Sequence, residues 1–260
     1  MGSQVGYEYK YRFSLVDLNE LNYSKHKSKR RDGVKTFLLE FRTNFILKTR
    51  PRSEEEKIEK EEDDLIILDS ERFDTFMYPF ENETKELSLF FSMTYYRLGE
   101  YWMSKDELRS LLKETLEFLR KTAADPQHAP LNPIPVVVHL DVCTVQQEGE
   151  SFGAAMDRAI RAEYLVPLYL WQHRMTLPEF KAMHPLLRMF IRSLDRVRVG
   201  NADERLALMK VCSICSRDSN VGAQITPLPT CGHAFHSHCI LPWLEENNLC
   251  PSCRSPAYDP

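Results

Sequence analysis

The chain has 260 residues, a net charge of -4 at neutral pH and a hydrophobic fraction of 43%, enough for one domain of ordinary size and a small appendix. That balance excludes nucleic acid drawn in by bulk charge. No apolar run approaches bilayer length, which excludes a membrane span, and the opening Met1–Gly6 has no apolar signal core and lacks the Ser or Thr that a myristoylation signal wants at Gly6.

In chain order, Tyr7 to Val16 alternates aromatic and polar residues, the pattern of a strand. Lys25 to Arg31 (KHKSKRR) reads as a solvated basic turn between strands, with a nuclear address as the other use of such a run. Val34 to Thr49 is rich in Phe, Leu and Ile and predicts one long strand or two shorter ones. Eight acidic residues and two lysines between Glu54 and Asp64 repel one another too strongly to pack, so a solvated loop follows. Leu65 to Leu68 resumes the fold, Asp69 to Phe80 continues it, and Leu87 to Tyr96 reads as a strand or a short helix.

Ser104 to Thr122 is a helix: Ser104 caps it, Glu107 answers three residues later, and Leu108, Leu111, Leu112, Leu116 and Leu119 form one apolar stripe. The stripe is expected to pack on the sheet of its own domain; a partner-binding helix is the alternative. Asp125 to Pro135 carries four prolines and predicts an irregular crossing. Val136 to Val145 is a buried strand containing Cys143. Ser151 to Glu163 reads as a helix, Leu165 to Trp171 as an aromatic-rich core segment and Leu186 to Val197 as a helix. Gly200-Asn201-Ala202-Asp203 marks a boundary, after which Asp203 caps a short helix through Met209. The expected fold class is therefore α+β, with a mixed domain over 1–205 and a small module over 206–260. No internal repeat, Gly-rich phosphate loop or Ser/His/Asp order stands out.

The small module holds six of the seven cysteines. Cys212-x2-Cys215 is followed by fifteen residues, then Cys231-x-His233-x2-His236-x2-Cys239, then ten residues, then Cys250-x2-Cys253. Eight such ligands in four pairs are the number needed for two closed tetrahedral zinc sites. A segment of about 50 residues buries too little apolar surface to fold securely by itself. Structural zinc supplies on the order of 10–16 kcal/mol of apparent binding energy, so the reading is two structural Zn2+ ions with no open coordination position. Cysteines used this way, with Cys143 left without a partner, place the chain in a reducing compartment, cytosol or nucleus.

The text CSIC, PLPTCGHAFHSHC and ILPWLEENNLCPSCR resembles the RING-H2 finger of ubiquitin-protein ligases over about a fifth of the chain; the rest matches no family named here. Thr230, which separates Pro229 from Cys231 where many relatives run Leu-Pro-Cys, is a small departure that the long preceding gap tolerates. PHD fingers carry one His in fifth place and LIM domains another order, so neither fits. The resemblance implies a cross-brace in which Cys212, Cys215, His236 and Cys239 hold one zinc, and Cys231, His233, Cys250 and Cys253 hold the other. His238 is then a surface side chain, carried outward by a short helix starting near Ser237, and Pro242 belongs in the first turn of that helix, where its missing N–H is unneeded.

The resemblance further implies that Ile214, Trp243 and Pro251 form a shallow groove for a ubiquitin-conjugating enzyme (E2), while Phe235, Ile240 and Leu244 fill the core. Arg254 would touch both that enzyme and its attached ubiquitin, a role suited to a planar five-donor fork. Such a ligase acts by position: it holds the mobile thioester ready for attack by a substrate lysine, and residues 1–205 would select the protein substrate. The alternative is a non-catalytic interaction scaffold. Cys143 is not expected to act as a nucleophile: it lies in a buried strand, and His139, four residues back, is on its face but too distant for easy contact. A nucleic-acid ligand is not expected, since the module lacks a basic stripe and carries Glu245 and Glu246 on its helix.

Overall fold

A computed structural model describes residues 6–21, 36–49, 65–77, 94–128, 130–170, 185–200 and 209–258. The basic run 25–31, the acidic run 54–64 and the helix expected over 203–208 lie outside the described residues. The chain forms two compact units, Met1–Glu148 and Gly149–Pro260.

In the first unit, β1 (Tyr7–Leu15), β2 (Phe37–Lys48), β3 (Leu65–Met77) and β4 (Ile134–Val145) form one sheet in the order β1-β4-β2-β3. β2 runs parallel to β4, and the two outer strands run antiparallel to their neighbours. Val34–Thr49 thus contains one long strand rather than two, with a bulge between Phe45 and Ile46 where it pairs with β3. Val136, Val138, Leu140 and Val142 of β4 are fully or almost fully buried, as a strand with neighbours on both edges requires.

The helix α1 (Lys105–Ala124) carries the capping box the sequence predicts: the Ser104 hydroxyl accepts from the Glu107 N–H at 3.2 Å, and the Glu107 carboxylate accepts from the Ser104 N–H at 2.7 Å. Its leucine stripe is buried, and Phe118 stacks on Phe13 of β1 with ring centroids 5.2 Å apart. The stripe therefore packs on the sheet of its own domain. A helix over 94–100 precedes it. From that helix Arg97 donates through Nε to the Glu71 carboxylate at 2.7 Å, and the Tyr101 hydroxyl donates to the same group. Each charge here is tolerable out of water because the other meets it in a hydrogen-bonded fork.

The second unit contains α2 (Phe152–Asp157), α3 (Pro185–Ser193), β5 (Val197–Arg198), β6 (Gln224–Pro227), β7 (Ala234–His236) and α4 (Ser237–Glu246), with short 3-10 turns at Ala162–Tyr164 and Leu168–Leu170. The Ser151 hydroxyl caps α2 by accepting from the Ala154 N–H at 3.1 Å. The helix predicted over Ser151–Glu163 stops after 6 residues, because the buried positions that follow, Ala159, Ile160, Leu165 and Val166, do not recur at helical spacing. The one predicted to Val197 ends at Ser193, and the chain extends into β5.

The boundary expected at 205/206 falls inside this second unit. Val166, Leu170, Leu187, Ile191 and Val199, all upstream of it, share one core with Cys212, Phe235, Ile240 and Leu244. β5 is the third strand of the module's own sheet, in the order β5-β6-β7. Val199 N–H donates to the Ala223 carbonyl at 2.9 Å, and Gly222 N–H to the Val199 carbonyl at 2.8 Å. A module too small to bury its own apolar surface takes that surface from the preceding segment.

Candidate metal centres and docking face

Each Cys-x2-Cys pair sits on a tight knuckle. Ser216 N–H donates to the Cys212 carbonyl at 2.7 Å, and Arg254 N–H donates to the Cys250 carbonyl at 2.9 Å. The residue closing each knuckle is left-handed, with φ 58° at Ser216 and 60° at Arg254. The β6–β7 hairpin and the start of α4 carry the ligands between them.

The structure gathers the eight side chains into two groups. Cys212, Cys215, His236 and Cys239 form one; Cys231, His233, Cys250 and Cys253 form the other; within each group the ligand atoms lie within 4.8 Å of one another. These are the sets the cross-brace implies. Zinc bound at about 2.3 Å to sulfur and about 2.0–2.1 Å to nitrogen would hold tetrahedral S and N ligands roughly 3.5 Å apart. Cys215 Sγ and His236 Nδ1 are separated by 3.3 Å, so the donor set fits the ion and identifies Nδ1 as the nitrogen directed into the group. The chain thus carries two sites for structural Zn2+, filled by protein ligands alone.

Within the groups the thiols are driven apart, one of each pair toward thiolate, the form that ligates metal. Hydrogen bonds, first from Cys239 and also from His236, draw the Cys212 thiol well below its ordinary range, and sharing of that same proton, with burial, raises Cys239. Cys253 is brought down to about 6, chiefly by the Ser255 hydroxyl 3.2 Å from its sulfur.

His238 is not the free surface side chain expected. Its ring stacks on His236 at 5.2 Å and lies 5.9 Å from the Tyr164 ring. Burial, then the neighbouring His236, lower its pKa to about 4. The helix does turn it away from the metal group, but onto a segment that sequence reasoning assigned to the other domain. Pro242 is likewise not in the first turn: it lies inside α4. The helix gives up the one bond that the His238 carbonyl would have accepted, and burial of Ile240, Leu241 and Leu244 offsets the loss.

Ile214 is half-buried, Pro251 is half-buried and Trp243 is 37% exposed. The Ser213 and Ser252 hydroxyls, one residue from Ile214 and Pro251, are 3.2 Å apart and join the two knuckles. The Trp243 indole Nε1–H donates to the Leu249 carbonyl at 2.8 Å, which ties α4 to the last knuckle. Arg254 is exposed at its end. Cys143, by contrast, is 4% exposed, and burial raises its pKa. His139 Nε2 is engaged with the Ser14 hydroxyl at 3.0 Å rather than with a thiol.

Residues 210–254 match the Ring finger domain family, and with the paired Cys/His groups this makes the carboxyl-terminal module a RING finger of the H2 type. Among similar proteins, the E3 ubiquitin-protein ligase SIRP1 of Oryza sativa subsp. japonica is 32% identical over 111 residues, which is 41% of this chain and 32% of that protein. The E3 ubiquitin-protein ligase RNF181 of Mus musculus is 34% identical over 84 residues, 32% of this chain and 44% of its own length. The RING-H2 domain of Arabidopsis RMR1, solved by crystallography, is 30% identical over 26% of this chain and 85% of its own, with a TM-score of 0.24. The chain spans less than half the length of these two ligases.

Proposed function

We propose that this protein is a RING-type E3 ubiquitin-protein ligase. It docks a ubiquitin-charged conjugating enzyme on Ile214, Trp243 and Pro251 and promotes direct transfer of ubiquitin to substrate lysines. The observation that carries the reading is at Arg254. Its side chain is exposed at the end of the last knuckle, so a planar five-donor guanidinium stands available to a partner beside the half-buried Pro251. Arg254 sits at the end of the knuckle that bears Pro251, where it would bridge the conjugating enzyme and its ubiquitin and restrict the wandering of the thioester. The chain supplies no nucleophile, acid or base to that transfer; its two zinc groups are closed by eight protein ligands and hold the docking face in shape.

The amino-terminal α+β unit would choose the protein substrate. Thiolate-rich metal groups and a free buried Cys143 support a reducing compartment, cytosol or nucleus. The test is reconstitution: purified protein with ubiquitin, ATP, activating enzyme and a panel of conjugating enzymes should build ubiquitin chains on itself. A chain that binds conjugating enzymes yet transfers nothing with any of them would be a scaffold, and the ligase reading would fall.

A further inference from the structure

We propose that residues 161–170, upstream of the matched RING segment, form a strap that fixes the pose of α4, and that Tyr164 and Tyr169 are positioning residues for the docking face. The inference rests on the docking reading above and adds to it a part of the chain that the family match does not include.

On α4, positions three and seven residues apart share a face, so His238, Leu241 and Glu245 form one line and Trp243 lies off it. The strap engages that line at both ends. The Tyr164 ring lies 5.9 Å from the His238 ring. Five residues later, Tyr169 neighbours Glu245, which after burial raises the tyrosine's pKa. Seven helical residues rise about 10.5 Å, a span that five residues of turns and extended chain cover. Val166, between these two contacts, and Leu170, just after them, enter the same core as Leu241.

Tyr164 makes a second connection. The guanidinium carbons of Arg161 and Arg217 each lie 5.6 Å from its ring centroid, within cation–π range. Arg217 follows the first knuckle, three residues after Ile214. One aromatic ring therefore couples the loop that bears Ile214 to the helix that bears Trp243, two of the three docking residues. A face held in its bound shape before the partner arrives loses less conformational freedom on binding. Loosening it should weaken docking more than it slows a transfer step made by the conjugating enzyme.

The experiment uses the full chain. Discharge of ubiquitin from a charged conjugating enzyme to free lysine is followed at increasing concentrations of that enzyme, for wild type, Tyr164→Leu/Tyr169→Phe and Tyr164→Phe. The double variant should raise KM about tenfold with kcat within about twofold, and Tyr164→Phe, which keeps the ring, should restore the wild-type value. Exchange of the Trp243 indole N–H, followed by NMR, should rise about tenfold in the double variant and not in Tyr164→Phe. Unchanged KM and unchanged indole exchange in the double variant would overturn the strap. So would a loss confined to kcat. If the double variant fails to retain zinc, Tyr169→Phe alone decides, since it removes only one hydroxyl from a partly exposed ring; a KM and indole exchange equal to wild type would then reject the proposal. Indole exchange needs no transfer activity, so an inactive wild type would count against the ligase reading while the NMR result still judged the strap.

Discussion

His236 and His238 are two residues apart, their rings stack at 5.2 Å, and they should behave oppositely on mutation. His236→Ala removes Nδ1, which sits 3.3 Å from Cys215 Sγ inside the first metal group. Structural zinc is worth on the order of 10–16 kcal/mol, against a typical domain stability of about 5–15 kcal/mol, so a site reduced to three ligands cannot keep the module folded. The second group suffers too, because His233 reaches it from the other end of the same three-residue strand. His238→Ala removes only ring contacts to His236 and Tyr164, about 1–2 kcal/mol in sum. Zinc per polypeptide, measured by mass spectrometry after dialysis against a weak chelator, should be two for wild type and His238→Ala and one or less for His236→Ala. Retention of both ions by His236→Ala, or loss of an ion in His238→Ala, would refute the ligand assignment.

Arg254→Gly should leave zinc content and thermal stability at or slightly above wild type, since it relieves a left-handed residue, while chain formation falls about tenfold; undiminished transfer would remove Arg254 from the mechanism. Cys143→Ala should transfer ubiquitin at the wild-type rate, and the Cys143 thiol should resist alkylation at pH 8 in the folded protein because burial raises its pKa; a ubiquitin thioester on Cys143 would contradict this. Glu71→Gln removes one carboxylate charge from the buried Arg97, with the two side chains only 7% and 3% exposed and Glu100 still acting on the guanidinium, and should cost about 1–3 kcal/mol in denaturant unfolding of the first unit with zinc unchanged. Tyr169 titrates upward, to about 12, through burial first and then Glu245. Its folded-state pKa lies above the unfolded value of about 10, so its contribution is whole below pH 10 and is lost as pH rises through about 12. The ultraviolet difference between wild type and Tyr169→Phe should show that late phenolate, and an ionisation near 10 would deny the contact with Glu245.

The legible parts of the chain were those with local causes. β1, the capped helix α1 and β4 follow from alternation, a capping box and an apolar run, each contained within about twenty residues. The ligand spacing of the metal groups is equally local. What escaped was decided at a distance. Val197-Arg198-Val199 has the alternation of a strand, yet it follows a helical stripe closely and reads as the end of that helix; only its partner β6, some 27 residues on, makes it a strand. His238 looked exposed because the aromatic that covers it is Tyr164, 74 residues earlier in the chain. The boundary was misplaced for the same reason: Gly200-Asn201 is a break in composition, but it interrupts one core rather than dividing two.

That shared core bears on how such a docking face comes to exist. Neither metal group can form from one hairpin, because each takes one knuckle and one end of the β7–α4 segment. Closing both groups brings Ser213 and Ser252 to 3.2 Å, and only then do Ile214 and Pro251 stand on adjoining loops. Trp243 is set separately, by the indole bond to Leu249 and by the packing of α4 against residues that precede the RING. A docking face on these residues would thus be the sum of two metal closures and one tertiary contact. The contact is the one term that no ion would hold. A ligase that works by position would be most easily tuned there.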